Sequence, residues 1–274
     1  MGTMMDRTPN DSPLGKDGLD RLLRQAEELW WGPEIERRQR SGSIDEDFTY
    51  SFAQALFPPD KAVVVRFNEE VRGMANIRAS RPIEKGGHVY RSDLDGLEGF
   101  DLLEEDLDCG HLTIIRIETG WFVSFNFLRS RALCTSLLRS ANDFLDAAQY
   151  AIEHHKSGPA VDNLYSACEL VSKAQLILTS MLDRSSKSHG AIHSKINRSR
   201  RLGNVNKDFV GLFNNLSALR PSCRYEGATI SQSLLSNNDL ALVRTEISRI
   251  DKLCRQFPER GSGAPARLPS GDKA

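Results

Sequence analysis

The second half of the chain, from about residue 129 to residue 257, carries apolar residues at the spacing of α-helices. Five helices are predicted there, at 133–152, 164–182, 189–201, 207–220 and 240–254. The last is the most regular, since its apolar residues recur every three or four positions: Leu240, Val243, Ile247, Ile250 and Cys254. Such stripes predict amphipathic helices that bury one face against each other. Short connections between them favour an all-α, up-and-down helical bundle.

The first half of the chain follows a different pattern, because apolar and polar positions alternate between about residues 44 and 128. The β-branched segment 62–67 predicts a strand, and segments 111–117 and 121–127 predict a hairpin with Gly120 in its connection. One face of the hairpin would carry the residues Trp121, Val123, Phe125 and Phe127. This part is predicted to be a small α+β domain.

The two ends of the chain are predicted to be mostly disordered. Residues 1–43 read as an arm with one short amphipathic helix, which begins near Leu19 and ends at Gly32-Pro33, followed by a linker at 37–43. Residues 258–274 are rich in Gly, Pro and Ser and predict a disordered tail. The expected fold is therefore an α+β N-terminal unit followed by a helical bundle.

Composition narrows the function classes. The net charge of −1 gives no overall signal for nucleic acid or membrane binding, so any such signal must be local. The N-terminus lacks an apolar signal segment and no stretch has 18 apolar residues, so a cytoplasmic protein without membrane contact is expected. The five cysteines are widely spaced, with no CxxC pair, which argues against disulfides or structural zinc. We expect no metal and no cofactor.

Two charged segments stand out. The basic run, residues 184–201, holds six Lys or Arg, two His and no acid: its cations are Arg184, Lys187, Lys195, Arg198, Arg200 and Arg201. Such a cluster is either an exposed helix face or a surface for a phosphate backbone. The acidic run, residues 93–108, holds eight carboxylates and no Lys or Arg. It reads as a solvated segment or as an electrostatic partner of the basic run.

Arg220 continues an apolar stripe of the fourth predicted helix, after Phe209, Phe213 and Leu216. A charged residue in that position is expected to face a neighbouring element or a subunit interface, although it could also extend to the rim or bond nearby carbonyls. Pro221 disfavours the helical conformation of the residue before it, so the helix is predicted to end at Arg220.

Three segments together resemble the HEPN family of small helical domains. Ser188-His189 opens the third predicted helix, and Leu219-Arg220-Pro-Ser-Cys-Arg-Tyr225 is similar to the family pattern Leu-Arg-x-x-Ala-Asp-Tyr. Segment 163–174 of the second helix also reads like that family's second helix. The resemblance covers most of the second half of the chain.

The resemblance implies a helical bundle that pairs into a homodimer. In active members an Arg and a His four to six residues later meet across the dimer and cut RNA without metal. Here no His stands at those positions after Arg220, and Tyr225 matches the tyrosine of the subgroup that is not RNase-like. Arg184 and His189 have the Arg-x4-His spacing, but they lie between the second and third helices.

These features support three hypotheses. The first is a HEPN-like homodimer that binds RNA or another phosphate-bearing ligand through a groove lined by the basic run, His189, Arg220 and Tyr225. The second is a metal-independent endoribonuclease of the toxin or defence type, whose candidate catalytic residues are His189, Arg220 and Tyr225. The third is a regulatory or structural interaction module without catalysis.

Overall fold

The computed structural model describes residues 15–84, 86–88, 90, 93–117, 120–225 and 235–255. The chain divides into two compact units, Met1–Phe127 with Phe257–Ala274, and Leu128–Gln256. The first contains helices and antiparallel strands and the second is helical, so the expectation of an α+β unit followed by helices is confirmed. Among the residues described, no helix is both long and apolar enough to cross a bilayer. The predicted tail 258–274 and residues 1–14 of the predicted arm lie outside these residues.

The first unit begins with a longer helical segment than the sequence predicts. Helix α1 (Gly15–Ala26) passes through a π-helical turn (Glu27–Trp31) into α2 (Gly32–Arg40). The prediction that the helix ends at Gly32-Pro33 is wrong, and so is the linker assigned to 37–43, since 37–40 are helical. The reason is local: the Gly32 amide donates to the Glu27 carbonyl, which places Pro33 in the first turn of α2, where its missing N–H is tolerated.

Six strands form two sheets. Strands β1 (Phe52–Phe57), β2 (Val64–Phe67), β5 (Gly110–Ile117) and β6 (Gly120–Asn126) make a four-stranded antiparallel sheet in the order β2-β1-β5-β6. Strands β3 (Met74–Ala79) and β4 (Leu94–Asp101) make a separate antiparallel pair. The predicted hairpin is confirmed, since β5 pairs with β6 and Gly120 has a φ of 140°.

One face of the four-stranded sheet packs on the N-terminal helices. Val123 of β6 is buried there together with Leu23 and Trp31, while Trp121 and Phe125 pack at the edge of the same cluster. These residues belong to the face that alternation in 121–127 predicts, but the opposite face of β6 is buried as well, since Phe122 and Ser124 are also buried.

The acidic run is paired within its own unit. Five of its carboxylates form ion pairs with arginines of the preceding segment: Arg66 with Asp106, Arg72 with Glu105, Arg78 with Asp95 and Glu98, and Arg81 with Asp93. Its interpretation as a simple solvated segment is therefore incomplete. A role as partner of the basic run stays a prediction.

The second unit consists of five helices around one hydrophobic core. They are α3 (Arg131–Glu153), α4 (Ser157–Leu178), α5 (His189–Arg201), α6 (Lys207–Tyr225) and α7 (Asn237–Arg255). Helix α4 contacts all four others, which explains why it is buried on most of its circumference. Its charged residues Asp162, Glu169 and Lys173 are only partly buried, so they lie where the other helices leave room, whereas the polar Ser172 and Gln175 are buried.

Helix α6 does not end at Arg220 as predicted, but continues through Pro221 to Tyr225. Arg220 and Arg224 lie one turn apart on either side of the proline, and both point to Asp162 of α4, with N–O distances of 2.6 Å and 3.8 Å. The last turn of α6 thus lies against α4, and it stays helical although Pro221 cannot donate a hydrogen bond.

Candidate functional site

Helices α4, α5 and α6 bring seven polar or charged side chains together on the helical unit. We call this set the polar cluster: Asp162, Tyr165, Glu169, His189, His193, Arg220 and Arg224. On each helix its members are three or four positions apart, so that they share one side of that helix. The spacing of these residues therefore gives each of the three helices one polar edge. The packing of the helices brings the three edges together.

Arg220 lies against α4, as its place in the apolar stripe predicts. Its Nε donates to Asp162 Oδ1 at 2.6 Å, and its guanidinium carbon lies 4.4 Å from the centre of the Tyr165 ring. The side chain keeps 26% of its exposure, so a ligand in solution can still reach it. A guanidinium stacked on a ring and fixed by a carboxylate has little freedom left to lose when it binds an anion.

The Glu169 carboxylate is the centre of the other half of the polar cluster. Its Oε1 accepts hydrogen bonds from His189 Nδ1 and, at 3.2 Å, from the Tyr165 hydroxyl. The Tyr165 oxygen also lies 3.4 Å from Nε2 of His193. His189 is well exposed, whereas its carboxylate partner is mostly covered. A carboxylate that holds one nitrogen of an imidazole orients the ring.

Burial raises the pKa of Tyr165 to about 12, and the neighbouring charge and hydrogen bond of Glu169 act in the same direction, whereas Arg220 opposes them. The phenol is therefore a hydrogen-bond donor throughout the neutral range and is not a base. Burial works against the charge of Arg220, but Asp162 outweighs it and raises the pKa of Arg220 above its ordinary value. Arg220 is a permanent cation.

His193 is positioned by packing as well as by hydrogen bonding. Its ring stacks on Phe213 at a centroid distance of 4.0 Å and an interplanar angle of 15°. Phe213 is fully buried in the core of the helical unit and also contacts the Tyr165 ring at 5.3 Å. The His193 ring is therefore held in place by the buried Phe213, at the boundary between the hydrophobic core and the rest of the polar cluster.

The basic run is divided by the geometry of α5. A helix turns by about 100° per residue, which puts Arg200 on the same side as His189 and His193. Lys195 lies on the other flank of the buried residues Ile192 and Ile196, and its ammonium donates to the Met181 carbonyl at 2.6 Å. Lys195 therefore binds the loop that follows α4 and does not belong to the polar cluster.

The remaining cations of the basic run differ in exposure. Lys187, Arg198, Arg200 and Arg201 are exposed, and Arg184 is half-buried in the loop before α5. Ser188 caps α5, since its hydroxyl accepts from the Ala191 amide at 3.2 Å. Tyr225 is the last residue of α6, but its side chain lies outside the described part of the chain.

Sequence reasoning named His189 and Arg220 but missed Asp162, Tyr165, Glu169 and His193. The spacing of the first three is the only signal that α4 offers, since 162, 165 and 169 fall on one side of the helix. His193 follows His189 by one turn. The spacing of residues along one helix does not determine the register between helices. It is this register that brings the polar edges of α4, α5 and α6 together.

No protein family model matches the sequence, and no curated protein and no solved structure matches it either. The likeness to the HEPN family therefore depends on the residues quoted above alone.

Proposed function

We propose that the helical unit is a HEPN-like module that binds RNA, or another ligand carrying phosphates, at the polar cluster and the adjacent exposed face of α5. The observation that carries this proposal is Arg220, an accessible permanent cation held on the Tyr165 ring beside two histidines. A planar guanidinium matches the geometry of a phosphate and can bind it through two hydrogen bonds.

The exposed cations of α5 extend this surface. Arg200 lies on the side of the polar cluster, and Arg198, Arg201 and Lys187 add positive charge at the exposed surface of the same segment. A phosphate backbone that neutralises several of these groups releases bound counterions, so its affinity falls steeply with salt. Because the protein as a whole is nearly neutral, we expect a phosphate backbone to be attracted only to the face that carries these cations.

We further propose that two copies pair and form a shared groove, as the resemblance implies for the family. In such a dimer the polar clusters of both copies would face one ligand, which would give the groove twice the number of arginines.

Binding is tested with a fluorescent oligouridylate, by anisotropy, at several salt concentrations between about 50 and about 300 mM. Arg220→Ala is expected to weaken binding by at least about tenfold, because it removes the central phosphate contact. Replacing Arg198, Arg200 and Arg201 by Ala is expected to flatten the dependence on salt. The matched control is Arg255→Ala, which removes an exposed arginine of α7 that pairs only with Asp251 among the described contacts. Affinity that does not depend on salt, or that Arg220→Ala leaves unchanged, would refute the proposal.

A second candidate function, cleavage of RNA without metal, is favoured by the contact between His189 and Glu169 beside Arg220. In that reaction a 2′-hydroxyl attacks the adjacent phosphorus while its proton passes to an imidazole. The 5′-oxygen of the next nucleotide leaves with a proton, and a 2′,3′-cyclic phosphate remains. Glu169 would orient His189, and Arg220 would stabilise the extra negative charge on the phosphorane.

Cleavage is tested by incubating the protein with total RNA in the presence of EDTA. Fragments ending in a cyclic phosphate are expected, and His189→Ala and Arg220→Ala should each reduce their formation by at least about 100-fold. Cleavage that survives both substitutions would exclude this assignment. Intact RNA at a protein concentration that saturates binding would leave binding as the function of the surface.

A further inference from the structure

Asp162 already forms an ion pair with the Arg220 guanidinium, the group that binds phosphate in the proposed function. A guanidinium offers two pairs of donors: the side-on edge, formed by Nε and one Nη, and the end-on edge, formed by both Nη atoms. Asp162 Oδ1 accepts a hydrogen bond from Arg220 Nε at 2.6 Å, so the side-on edge of Arg220 is already occupied in the absence of a ligand.

Arg224 offers a second cation to the same carboxylate. Its Nη1 lies 3.8 Å from Asp162 Oδ1, one helical turn beyond Arg220. That distance is longer than a charge-assisted hydrogen bond but is within the reach of a small rotation of the Asp162 side chain. Asp162 therefore stands between a close arginine and a more distant one.

We propose that Asp162 is an internal competitor for phosphate at Arg220, and that ligand binding transfers the carboxylate from Arg220 to Arg224. This inference depends on the proposed function, because it requires that Arg220 receives a phosphate. In the ligand-free state the carboxylate fills the side-on edge of Arg220. In the bound state a phosphate oxygen takes its place, and Arg224 becomes the main partner of Asp162.

Charge and packing make this exchange inexpensive. Asp162 keeps a cation beside it throughout, because Arg224 already lies 3.8 Å away, and Arg220 keeps an anion beside it because phosphate replaces the carboxylate. Asp162 and Arg220 keep 36% and 26% of their exposure, so their contact is only partly desolvated and contributes modestly to stability. Helices α4 and α6 are held together by buried residues such as Leu164, Phe213 and Leu216, not by this pair. The Tyr165 ring continues to support the guanidinium.

The competitor also makes the site selective. An anion must outbind a carboxylate that is already in place at a very high local concentration, so weakly charged ligands such as a single carboxylate or chloride are excluded. A phosphate chain can overcome this barrier because its neighbouring phosphates bind the exposed arginines of α5 at the same time.

The test compares Asp162→Asn with the unmodified full-length protein, using the fluorescent oligouridylate as the probe. Asparagine has the same shape but cannot hold Arg220 by charge, so affinity is expected to rise by about tenfold. Asp143→Asn, on the exposed face of α3, changes the net charge equally and is the matched control. At about 300 mM salt general charge effects shrink, whereas the gain from removing a local competitor persists.

Arg220 and Arg224 separate this mechanism from a general charge effect. The gain from Asp162→Asn is expected to vanish in the Arg220→Ala background, since there is no longer a guanidinium to release. Arg224→Ala is expected to weaken binding more when Asp162 is present than when it is asparagine, because the displaced carboxylate then has no second partner. This coupling keeps the idea testable if Asp162→Asn alone lowers stability, which a melting curve shows.

Two results would overturn the inference in different ways. If Asp162→Asn binds no more tightly than the unmodified protein while Arg220→Ala binds more weakly, Asp162 is a structural partner only and the proposed function stands. If Arg220→Ala has no effect on binding, both the proposed function and the exchange are wrong.

Discussion

Tyr165 shows how one side chain links the packing of the helical unit to its chemistry. Its ring supports the Arg220 guanidinium and touches the buried Phe213, while its hydroxyl donates to Glu169. The residue is almost fully buried, and burial together with Glu169 raises its pKa to about 12. A phenol in this environment keeps its proton in the folded protein at a pH where it would lose the proton in the unfolded chain.

Tyr165 is therefore expected to make stability sensitive to alkaline pH. Its proton is held more tightly in the folded state, so its contribution is complete below the unfolded pKa near 10 and is lost as the pH rises from about 10 to about 12. Tyr165→Phe should reduce the fall in unfolding free energy over this range by on the order of 1 kcal/mol. Thermal melts between these pH values measure the slope.

Tyr150→Phe is the control for this measurement, because Tyr150 is 55% exposed on α3. A Tyr165→Phe slope that is no shallower than the Tyr150→Phe slope would show that the phenol of Tyr165 ionises as it does in the unfolded chain.

The sequence predicted individual site residues better than their partners. Arg220 was identifiable because a charge interrupts an apolar stripe, and His189 because Ser188-His189 opens a helix in a basic run. Asp162, Tyr165 and Glu169 lie on a helix whose polar positions are ordinary when α4 is considered alone. Their importance comes from the register between α4 and α6, which depends on side-chain packing that no single stripe encodes.

The helices show where local signals fail. The bounds 189–201 were predicted correctly for α5, and the regular stripe of α7 and its Ser236–Asp239 cap are present, with the Ser236 amide donating to Asp239 at 2.8 Å. Two mistaken helix ends, at Gly32-Pro33 and at Pro221, were placed at prolines, and the helix predicted at 164–182 is displaced, since α4 runs over Ser157–Leu178. A proline removes one hydrogen bond, which a π-helical turn or contacts with a neighbouring helix can offset.

The π-helical turn before α2 is expected to depend on Gly32. A Cβ at this position would lie 2.9 Å from the carbonyl oxygen of Glu27, which is backbone and cannot move independently. Gly32→Ala should therefore lower the free energy of unfolding of the first unit by about 1–3 kcal/mol, although alanine is the better helix former. Denaturant titration followed by tryptophan fluorescence measures this, because Trp30 and Trp31 lie beside the turn.

Gly211→Ala in α6 is the matched control. Nothing lies within 4 Å of its Cβ position, so the substitution should stabilise the helical unit by about 0.4–1 kcal/mol through helix propensity and reduced freedom of the unfolded chain. If both substitutions stabilise the protein, the close contact at Gly32 relaxes easily and the glycine is not required.

The two units of the chain have separate hydrophobic cores. In the described part of the chain, the core cluster of Leu128–Gln256 is built from residues of that unit, and the clusters around the four-stranded sheet are built from residues of the first unit. Each unit is therefore equipped to fold by its own packing. All members of the polar cluster belong to the second unit, so the proposed binding surface is complete without the strands.

A fragment of residues 128–256 is consequently expected to fold and to bind the oligouridylate. Circular dichroism should show a helical protein with a cooperative melt, and affinity should remain within about threefold of the full chain, since the cations that contact phosphate are retained. The same substitution, Arg220→Ala, should weaken binding in the fragment as it does in the full chain. That parallel effect is the internal control for a correctly folded site.

The alternative of a regulatory module makes the opposite prediction for this fragment. If the first unit controls the second, removing residues 1–127 should change affinity by well over threefold or change the oligomeric state, which light scattering detects while the melt stays cooperative. A folded fragment with altered binding would assign the first unit a controlling role. A fragment with unaltered affinity and an unaltered oligomeric state would show that the polar cluster is a self-sufficient site. A fragment that does not melt cooperatively would contradict the independence of the two cores.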